Sequence, residues 1–277
     1  MNSRRLAAVP VPELALRAGV ARRGERAVPE EIPIAFSYGG TTHAVMMATP
    51  ADLEDFAVGF SLTEGVISDP AEIIGIEVVD EGRGIDVQVT LADPVADALR
   101  SRRRQMAGPV GCGLCGIESI EQALRPVRSV GDGNLRLRSE EIVDAVRALG
   151  GAQHLNRRTH AVHGAGFYVP GKGLVAIRED VGRHNALDKL CGAVVTAGLR
   201  GADGVVVVTS RLSVEMIQKT AILGSQFLLA VSAPTRLAIE TAEQAGMTLV
   251  AVVRGEDFEV FTYADRILFP GAVADVA

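Results

Sequence analysis

The C-terminal half of the chain alternates short apolar runs with amphipathic segments, and this pattern most restricts the folds open to it. Apolar runs cover residues 174–177, 204–208, 227–231 and 248–253. The first three lead into helical segments that end near Ala197, Gly224 and Gly246, and a last strand, 258–263, follows the fourth. Successive β-α units build a mainly parallel sheet with helices on both faces. We therefore expect an α/β fold here.

The N-terminal half predicts a smaller α+β subdomain. Strands at 32–38 and 42–47 flank Gly39-Gly40, as in a β-hairpin, and a second strand pair covers 75–79 and 85–91. Between the two pairs, the segment Thr49-Pro50-Ala51-Asp52 predicts an N-cap at Thr49 and a helix that ends near Gly65. A further helix begins after Asp93.

These patterns divide the chain into four parts. Residues 1–28 are rich in Arg, Ala and Pro without periodicity, which predicts a poorly ordered arm. The N-terminal α+β subdomain covers 29–106, a cysteine loop covers 107–118, and the α/β domain covers 119–277. We expect the cysteine loop to lie between the two folded parts.

Composition excludes several classes of function. The 277 residues are 48% hydrophobic but contain no Trp and only 4% aromatic residues, which predicts an aliphatic core and argues against base-stacking platforms. A net charge of −6 gives no general attraction to nucleic acid or to an anionic membrane. Pro10, Pro12 and Glu13 interrupt any secretory segment, and no run reaches the length of a membrane span. We expect a cytoplasmic protein that binds neither nucleic acid nor membrane.

A glycine-bracketed cysteine pair, Gly111-Cys112-Gly113-Leu114-Cys115-Gly116, stands at mid-chain. Two thiols separated by two residues suit a redox pair, half of a metal site, or a nucleophile with a neighbour, and each of these uses the thiolate. The glycines bring backbone N–H groups close to the sulfurs, where they can stabilise negative charge. The alternative is a surface loop with two incidental thiols. The third cysteine, Cys191, lies in an apolar helical segment, which predicts core packing.

An arginine follows each apolar run of the α/β domain. Ligands bind outside the carboxyl ends of strands in open parallel sheets, so these arginines predict a cationic rim there: Arg183, Arg211, Arg236 and Arg254. Hydroxyl residues at the predicted helix starts favour phosphate or act as plain caps: Ser210, Ser213, Ser232 and Thr235. Guanidinium groups suit phosphate, and we infer a sizeable phosphate-bearing ligand. The run Arg100, Arg102, Arg103 and Arg104 could meet an anion near the cysteine loop or form a solvated helix face.

Histidines raise the alternative of a metal site. His160 and His163 lie three positions apart, and on a strand such residues point to opposite faces, which disfavours a shared ion. Zinc deaminases also place a Glu two residues after the ligand His, whereas Val162 and Ala165 occupy those positions here. Zinc is therefore the weaker reading of the Cys-x-x-Cys spacing.

The run from Glu179 to Lys189 (Glu-Asp-Val-Gly-Arg-His-Asn-Ala-Leu-Asp-Lys) is the most specific motif of the chain. With Ser232–Thr235 and the Cys112/Cys115 loop, it resembles the formate dehydrogenase accessory sulfurtransferase family over residues 31–268. Supporting matches are Thr49-Pro50, Asp52, Glu64-Gly65, Ser213, Glu215-Met216 and Lys219. The chain departs from the family pattern at His160-Ala161, where many members have two glycines, and at Ser210, where a glycine commonly precedes the arginine.

The resemblance implies a fold and an activity. The C-terminal part would be a cytidine-deaminase-like three-layer α/β/α sandwich without the zinc, in a homodimer. The protein would be a sulfurtransferase: a cysteine desulfurase would load sulfur onto Cys112 as a persulfide, with Cys115 as a second acceptor or resolving thiol. The sulfur would then pass to molybdenum bis(molybdopterin guanine dinucleotide), bound as substrate, before insertion into the formate dehydrogenase catalytic subunit.

The resemblance also places the cofactor-binding residues. One segment is Val252, Val253, Arg254, Gly255, Glu256 and Asp257, and the rim contributes Arg183, His184, Arg211, Ser232, Thr235 and Arg236. Two other hypotheses stay open: a molybdenum-cofactor chaperone without sulfur transfer, and a zinc-dependent deaminase-like hydrolase. Which cysteine carries sulfur at each step is also open, because two thiols on one loop titrate as a coupled pair.

Overall fold

The computed structural model describes residues 5–106, 126–131 and 133–271. The side chains of residues 101–106 and the cysteine loop with Cys112 and Cys115 lie outside the described part. None of the helices in this part combines the length and apolarity needed to cross a bilayer.

The N-terminal half contains two sheets and two helices in the described residues. Its elements are β1 (Ala8–Arg17), β2 (Val20–Pro29), β3 (Ile32–Tyr38), β4 (Thr41–Ala48), α1 (Leu53–Thr63), β5 (Ile73–Asp80), β6 (Ile85–Leu91) and α2 (Asp93–Met106). The two predicted strand pairs are confirmed: β3 and β4 flank Gly39-Gly40, and β5 pairs with β6. Both glycines of the first turn have positive φ angles, 58° and 75°, which glycine adopts without steric cost.

The α/β domain follows. Its elements are β7 (Leu137–Arg138), α3 (Ser139–Ala152), α4 (His154–Thr159), β8 (His163–Val169), β9 (Gly173–Asp180), α5 (Arg183–Thr196), β10 (Val205–Val208), α6 (Val214–Leu223), β11 (Phe227–Ala230), α7 (Arg236–Ala245), β12 (Thr248–Arg254), β13 (Asp257–Val260) and β14 (Ile267–Leu268). The predicted helix ends at Gly224 and Gly246 are confirmed, and both glycines are left-handed C-caps.

The expectation of a poorly ordered arm over residues 1–28 is wrong for residues 8–28. β1 and β2 pair antiparallel over their full length, from Ala8 opposite Pro29 to Arg17 opposite Val20. Ala18 and Gly19 form the connecting turn with φ angles of 49° and 81°, as two-residue hairpin turns require. The turn contains only one glycine, and prolines interrupt the alternation of apolar and polar residues in β1. The hairpin was therefore not recognised from the sequence.

The N-terminal subdomain has a sheet in the order β4-β3-β6-β5, with α1 packed against it. Phe36, Phe56 and Phe60 form its aromatic centre: the Phe36 and Phe60 rings stack at 4.5 Å, and Phe56 meets Phe36 edge-on. Aromatic pairs of this kind add to the stability gained by burial alone. The prediction that Thr49 is the N-cap of α1 is wrong. Asp52 takes that position, in a left-handed conformation.

The sheet of the α/β domain is mixed rather than mainly parallel. Its order is β13-β12-β11-β10-β8-β9, where β10, β11 and β12 pair in parallel and the remaining pairs are antiparallel. β8 returns antiparallel between β9 and β10, so the flanking pairs could not be deduced from the β-α alternation. One face packs on α5, α6 and α7, and α3 covers the other.

Helices α1 and α5 join the two subdomains through glycines. A Cβ atom on Gly59 would lie 1.7 Å from the Asp188 carbonyl oxygen, and one on Gly192 would lie 1.9 Å from that of Asp55. Only glycine permits backbones to approach this closely. Next to this contact, Cys191 is fully buried in the core of the α/β domain, which confirms its predicted packing role.

Candidate functional site

The arginines predicted to form a rim lie at one edge of the sheet. β9, β10, β11 and β12 run in the same direction, and Arg183, Arg211, Arg236 and Arg254 follow or close their carboxyl ends. His163 begins the reversed strand β8 at the same edge, opposite Asp180 of β9. The sheet thus gathers positive charge and an imidazole where ligands of such sheets bind.

Arg183 lies in the first turn of α5, half-buried beside two histidines. Burial and the nearby Arg183 charge lower the pKa of His163, and the same two causes, burial first, lower the pKa of His184. Among the described residues no carboxylate lies within ion-pair distance of Arg183, and no described side chain caps the N-terminus of α5. This corner of the rim can therefore offer a guanidinium and free backbone N–H groups to an anion.

His184 also contacts the start of α6. Its Nε2 lies 2.9 Å from Glu215 Oε2, without the alignment of a hydrogen bond, and the Ser213 hydroxyl donates to the same oxygen at 3.1 Å. Ser213 is the N-cap residue of α6, but its hydroxyl does not cap the helix. The carboxylate of Glu215 thus contacts both His184 and Ser213.

The other rim residues differ in their partners. Arg211 and Arg254 are exposed and have no carboxylate partner in the described part of the chain. Arg236 donates to Glu240 at 2.7 Å on the surface of α7, and Thr235 caps that helix by accepting from the Ala238 N–H. Thr235 and Arg236 therefore already have local helix partners. Ser232 is half-buried, and its carbonyl oxygen accepts from Val252 N at 3.4 Å.

The segment from Val252 to Asp257 contains a bulge followed by a turn. The pairing register of β12 and β13 shifts between Ala251 and Arg254, and Val252 has a φ of 55°, rare for a β-branched residue. Such backbone outliers persist where the surroundings hold them and cluster at ligand sites. Val253 is buried in the core on the α3 side of the sheet, whereas Arg254, Gly255, Glu256 and Asp257 are exposed around the turn at the rim.

The Glu179–Lys189 motif supplies a buried network as well as rim residues. Asp180, fully buried, accepts four hydrogen bonds: Thr49 N at 3.0 Å and Lys189 Nζ at 2.6 Å on Oδ2, and Gly182 N at 2.8 Å and Asn185 Nδ2 at 3.0 Å on Oδ1. Lys189 also donates to the Thr49 carbonyl oxygen at 2.8 Å. Burial lowers the pKa of Lys189 against the opposing effect of Asp180. The network ties β4, β9 and α5 together.

A second buried ion pair lies one residue earlier on α5. Asp188 accepts from Thr63 Oγ1 at 2.6 Å and from Lys219 Nζ at 2.8 Å, and Lys219 also reaches Glu64 at 2.7 Å. Although burial opposes it, the carboxylates of Asp188 and Glu64 raise the pKa of Lys219. This pair joins α1, α5 and α6, and explains why Glu64 and Lys219 stood among the motif matches.

The first residue of the Glu179–Lys189 motif caps a helix. Glu179 accepts from the backbone N–H groups of Leu155 and Asn156, at 2.8 Å each, at the start of α4. His160 is the C-cap of α4; it is exposed, and its φ of 54° is left-handed. A glycine would adopt this conformation without strain, which accounts for the family pattern at this position.

Sequence reasoning missed the structural roles of Asp180, Asp188, Lys189 and Lys219. The available signal was the pair Asp188-Lys189 inside an otherwise apolar helix, since buried charges in such a setting need partners. Within the described residues no three His, Cys, Asp or Glu side chains gather as a metal site would require. Cys112 and Cys115, the predicted chemical groups, lie outside these residues.

Comparisons with known proteins agree on one family. The family model described as FdhD/NarQ matches residues 29–268. A protein named sulfur carrier protein FdhD from Agrobacterium fabrum is 69% identical over 93% of this chain and 95% of its own length, and one of the same name from Brucella abortus is 56% identical over 93% and 96%. The crystal structure of a proposed formate dehydrogenase accessory protein from Desulfotalea psychrophila superimposes with a TM-score of 0.75 at 27% identity, over 95% of this chain and all of the other. The chain therefore belongs to the FdhD/NarQ family.

Proposed function

We propose that this protein is a cytoplasmic sulfur carrier that matures the molybdenum cofactor of formate dehydrogenase. A cysteine desulfurase loads sulfur onto Cys112 as a persulfide, and the sulfur passes to molybdenum bis(molybdopterin guanine dinucleotide) bound as substrate, before that substrate enters the dehydrogenase catalytic subunit. The proposal includes a homodimer and a cytidine-deaminase-like sandwich without zinc for the α/β domain.

One observation supports the ligand part of the proposal. Arg183, Arg211 and Arg254 lie along the carboxyl-end edge of one sheet, and no described carboxylate neutralises them. A protein with a net charge of −6 gains nothing for stability from leaving these cations unpaired. A ligand with several phosphate groups, such as a bis-guanine dinucleotide, would neutralise them.

The sulfur chemistry follows from thiolate exchange. In loading, the Cys112 thiolate attacks the outer sulfur of a persulfide on the desulfurase, whose S–S bond breaks and whose cysteine leaves as a thiolate. In release, the Cys115 thiolate attacks the inner sulfur of the Cys112 persulfide. A Cys112–Cys115 disulfide forms and sulfide leaves toward molybdenum, so the two thiols supply the two electrons that reduce the transferred sulfur. A cellular thiol reductant then restores both cysteines.

Intact mass after incubation with a cysteine desulfurase and free cysteine tests the carrier role. We expect one added sulfur atom that a thiol reductant removes, lost in Cys112→Ala and retained without turnover in Cys115→Ala. Cys191→Ala is the matched control, because burial raises the pKa of this thiol and keeps it from reacting. No added sulfur in the wild type would contradict the proposal.

Binding of GDP separates sulfur transfer from cofactor binding. We expect Cys112→Ala to bind GDP as the wild type does, since the rim arginines are unchanged. Binding of the molybdenum cofactor without any persulfide would favour a chaperone instead, and stoichiometric zinc in the purified protein would favour the hydrolase.

A further inference from the structure

The turn between β9 and α5 is held by a single carboxyl group. Asp180 Oδ1 accepts from Gly182 N at 2.8 Å and from Asn185 Nδ2 at 3.0 Å, so it spans the turn and the first turn of α5. Its other oxygen, Oδ2, faces Thr49 N and Lys189 Nζ. One oxygen therefore fixes the turn, and the other forms the buried ion pair with Lys189 and accepts from Thr49 of the N-terminal subdomain.

Further hydrogen bonds from neighbouring residues hold this turn in place. The Asn185 amide also donates to the Met47 carbonyl oxygen at 2.9 Å, and Val181 N donates to Thr49 Oγ1 at 3.2 Å. A Cβ atom on Gly182 would lie 2.7 Å from Asn185 Nδ2. The turn is thus bonded on both sides, and a side chain at Gly182 would have to displace the Asn185 amide.

Arg183 and His184 come directly after this turn. They begin α5, so their backbone continues directly from the turn, and their side chains have no described carboxylate or hydrogen-bonded partner apart from the contact of His184 with Glu215. Residues that orient a binding group through hydrogen bonds control its affinity although they never contact the ligand. The position of the Arg183 guanidinium therefore depends on the turn that Asp180 holds.

We propose that Asp180 is a positioning residue, whose Oδ1 holds the Val181–Gly182 turn so that Arg183 and the first N–H groups of α5 can bind a phosphate group. This inference rests on the proposed function, since it assumes a phosphate-bearing ligand at the rim. It assigns to Oδ1 a role separate from the ion pair made by Oδ2.

Paired substitutions separate the two oxygens. Asp180→Asn with Lys189→Met removes the ion pair and leaves a carbonyl oxygen that can still accept from Gly182 and Asn185. Asp180→Ala with Lys189→Met removes the ion pair and the acceptor together. Asp188→Ala with Lys219→Met is the matched control, because it removes the neighbouring buried pair of α5 and leaves the turn intact.

The measurement is GDP affinity by titration calorimetry, at a temperature where thermal unfolding shows each variant folded. We expect the Asn/Met variant and the Asp188/Lys219 control to bind close to wild type, and the Ala/Met variant to bind at least about tenfold more weakly. Wild-type affinity in the Ala/Met variant overturns the positioning role. Equal losses in the Ala/Met and Asn/Met variants, or in the control, also overturn it, because the loss would then follow stability rather than the turn.

Two further variants keep the test decisive. If the Ala/Met variant does not fold, Gly182→Ala takes its place, since its Cβ must displace the Asn185 amide from Oδ1 and leaves the ion pair. Arg183→Ala identifies the source of a negative result. If the wild type binds no GDP, the proposed ligand is wrong; if only Arg183→Ala loses affinity, the positioning role alone is wrong.

Discussion

The junction between the subdomains and the rim of the sheet use charge in opposite ways. At the junction, Lys189 is fully buried and bonded to Asp180, and Lys219 is almost fully buried and bonded to Asp188. At the rim, Arg211 and Arg254 are exposed and Arg183 is half-buried, all without a carboxylate partner in the described residues. The two regions meet on α5, whose first turn carries Arg183 and whose middle carries Asp188 and Lys189.

The difference separates charges that serve the fold from charges that stay unpaired at the edge of the sheet. A buried charge must be paired, because removing one partner leaves an ion in a medium of low polarity. An exposed cation costs little to keep unpaired, and a cluster of them raises the local concentration of anions. One eleven-residue motif therefore contributes both to the junction and to the rim.

The largest expected effect is at the junction. Asp180→Ala leaves the Lys189 ammonium, 0% exposed, without a carboxylate, facing the Thr49 carbonyl oxygen and the Phe56 ring. We expect a loss of about 3–5 kcal/mol in the free energy of unfolding, measured by urea denaturation. Asp203→Ala, which breaks the exposed pair with Arg200, is the control and should change little. A loss no larger than that of the control would contradict the claim that the buried ion pair contributes more to stability than the exposed one.

Substitution of the junction glycine gives the next effect. Gly192→Ala would place a Cβ atom 1.9 Å from the Asp55 carbonyl oxygen, so α1 and α5 must separate. We expect a loss of about 1–3 kcal/mol in the free energy of unfolding. Gly150→Ala in α3, where nothing lies within 4 Å of the added Cβ, should instead gain about 0.5–1 kcal/mol. Equal effects at the two sites would show that the helix contact is loose.

At the rim the effect should fall on binding and spare stability. Arg183→Ala removes a charged donor that has no described ion-pair partner, so unfolding should change little while GDP affinity falls roughly tenfold, about 1.5 kcal/mol. Arg236→Ala is the matched control, because its guanidinium is engaged with Glu240 and should contribute less to binding. Calorimetric titration of both variants checks the difference. A larger loss of GDP affinity in Arg236→Ala would indicate that the ligand lies closer to α7.

The smallest effect is a pH dependence of stability at the rim. Burial and Arg183 lower the pKa of His163 and His184, so the folded protein binds fewer protons than the unfolded chain below about pH 6.5. The stabilising contribution is complete at neutral pH and is lost as pH falls from about 6.5 through the lowered values. Urea midpoints between about pH 7.5 and pH 5.5 should fall less in His163→Gln and His184→Gln than in the wild type. An unchanged slope would show that neither burial nor Arg183 lowers the pKa of these imidazoles.

Much of the rim was predictable because it depends on local order in the chain. An arginine directly after an apolar strand lies at the carboxyl end of that strand whatever the neighbours are, so Arg183, Arg211 and Arg254 could be placed from spacing. That these three have no carboxylate partner among the described residues could not be placed in this way, because it depends on residues distant in the sequence. Arg236 meets Glu240 one helical turn away, a contact that the i, i+4 spacing could have revealed.

Local sequence was enough to predict the alternation of strands and helices, the glycine C-caps, the hairpin at Gly39-Gly40 and the burial of Cys191, because each depends on a few neighbouring residues. Other features became visible only in the folded chain: β8 runs antiparallel to β9 and β10, Thr49 bonds Asp180 instead of capping α1, and α1 meets α5 through Gly59 and Gly192. The last two contacts join residues more than a hundred positions apart. Their free energy comes from burying and pairing groups that carry no signal of their partner in the local sequence.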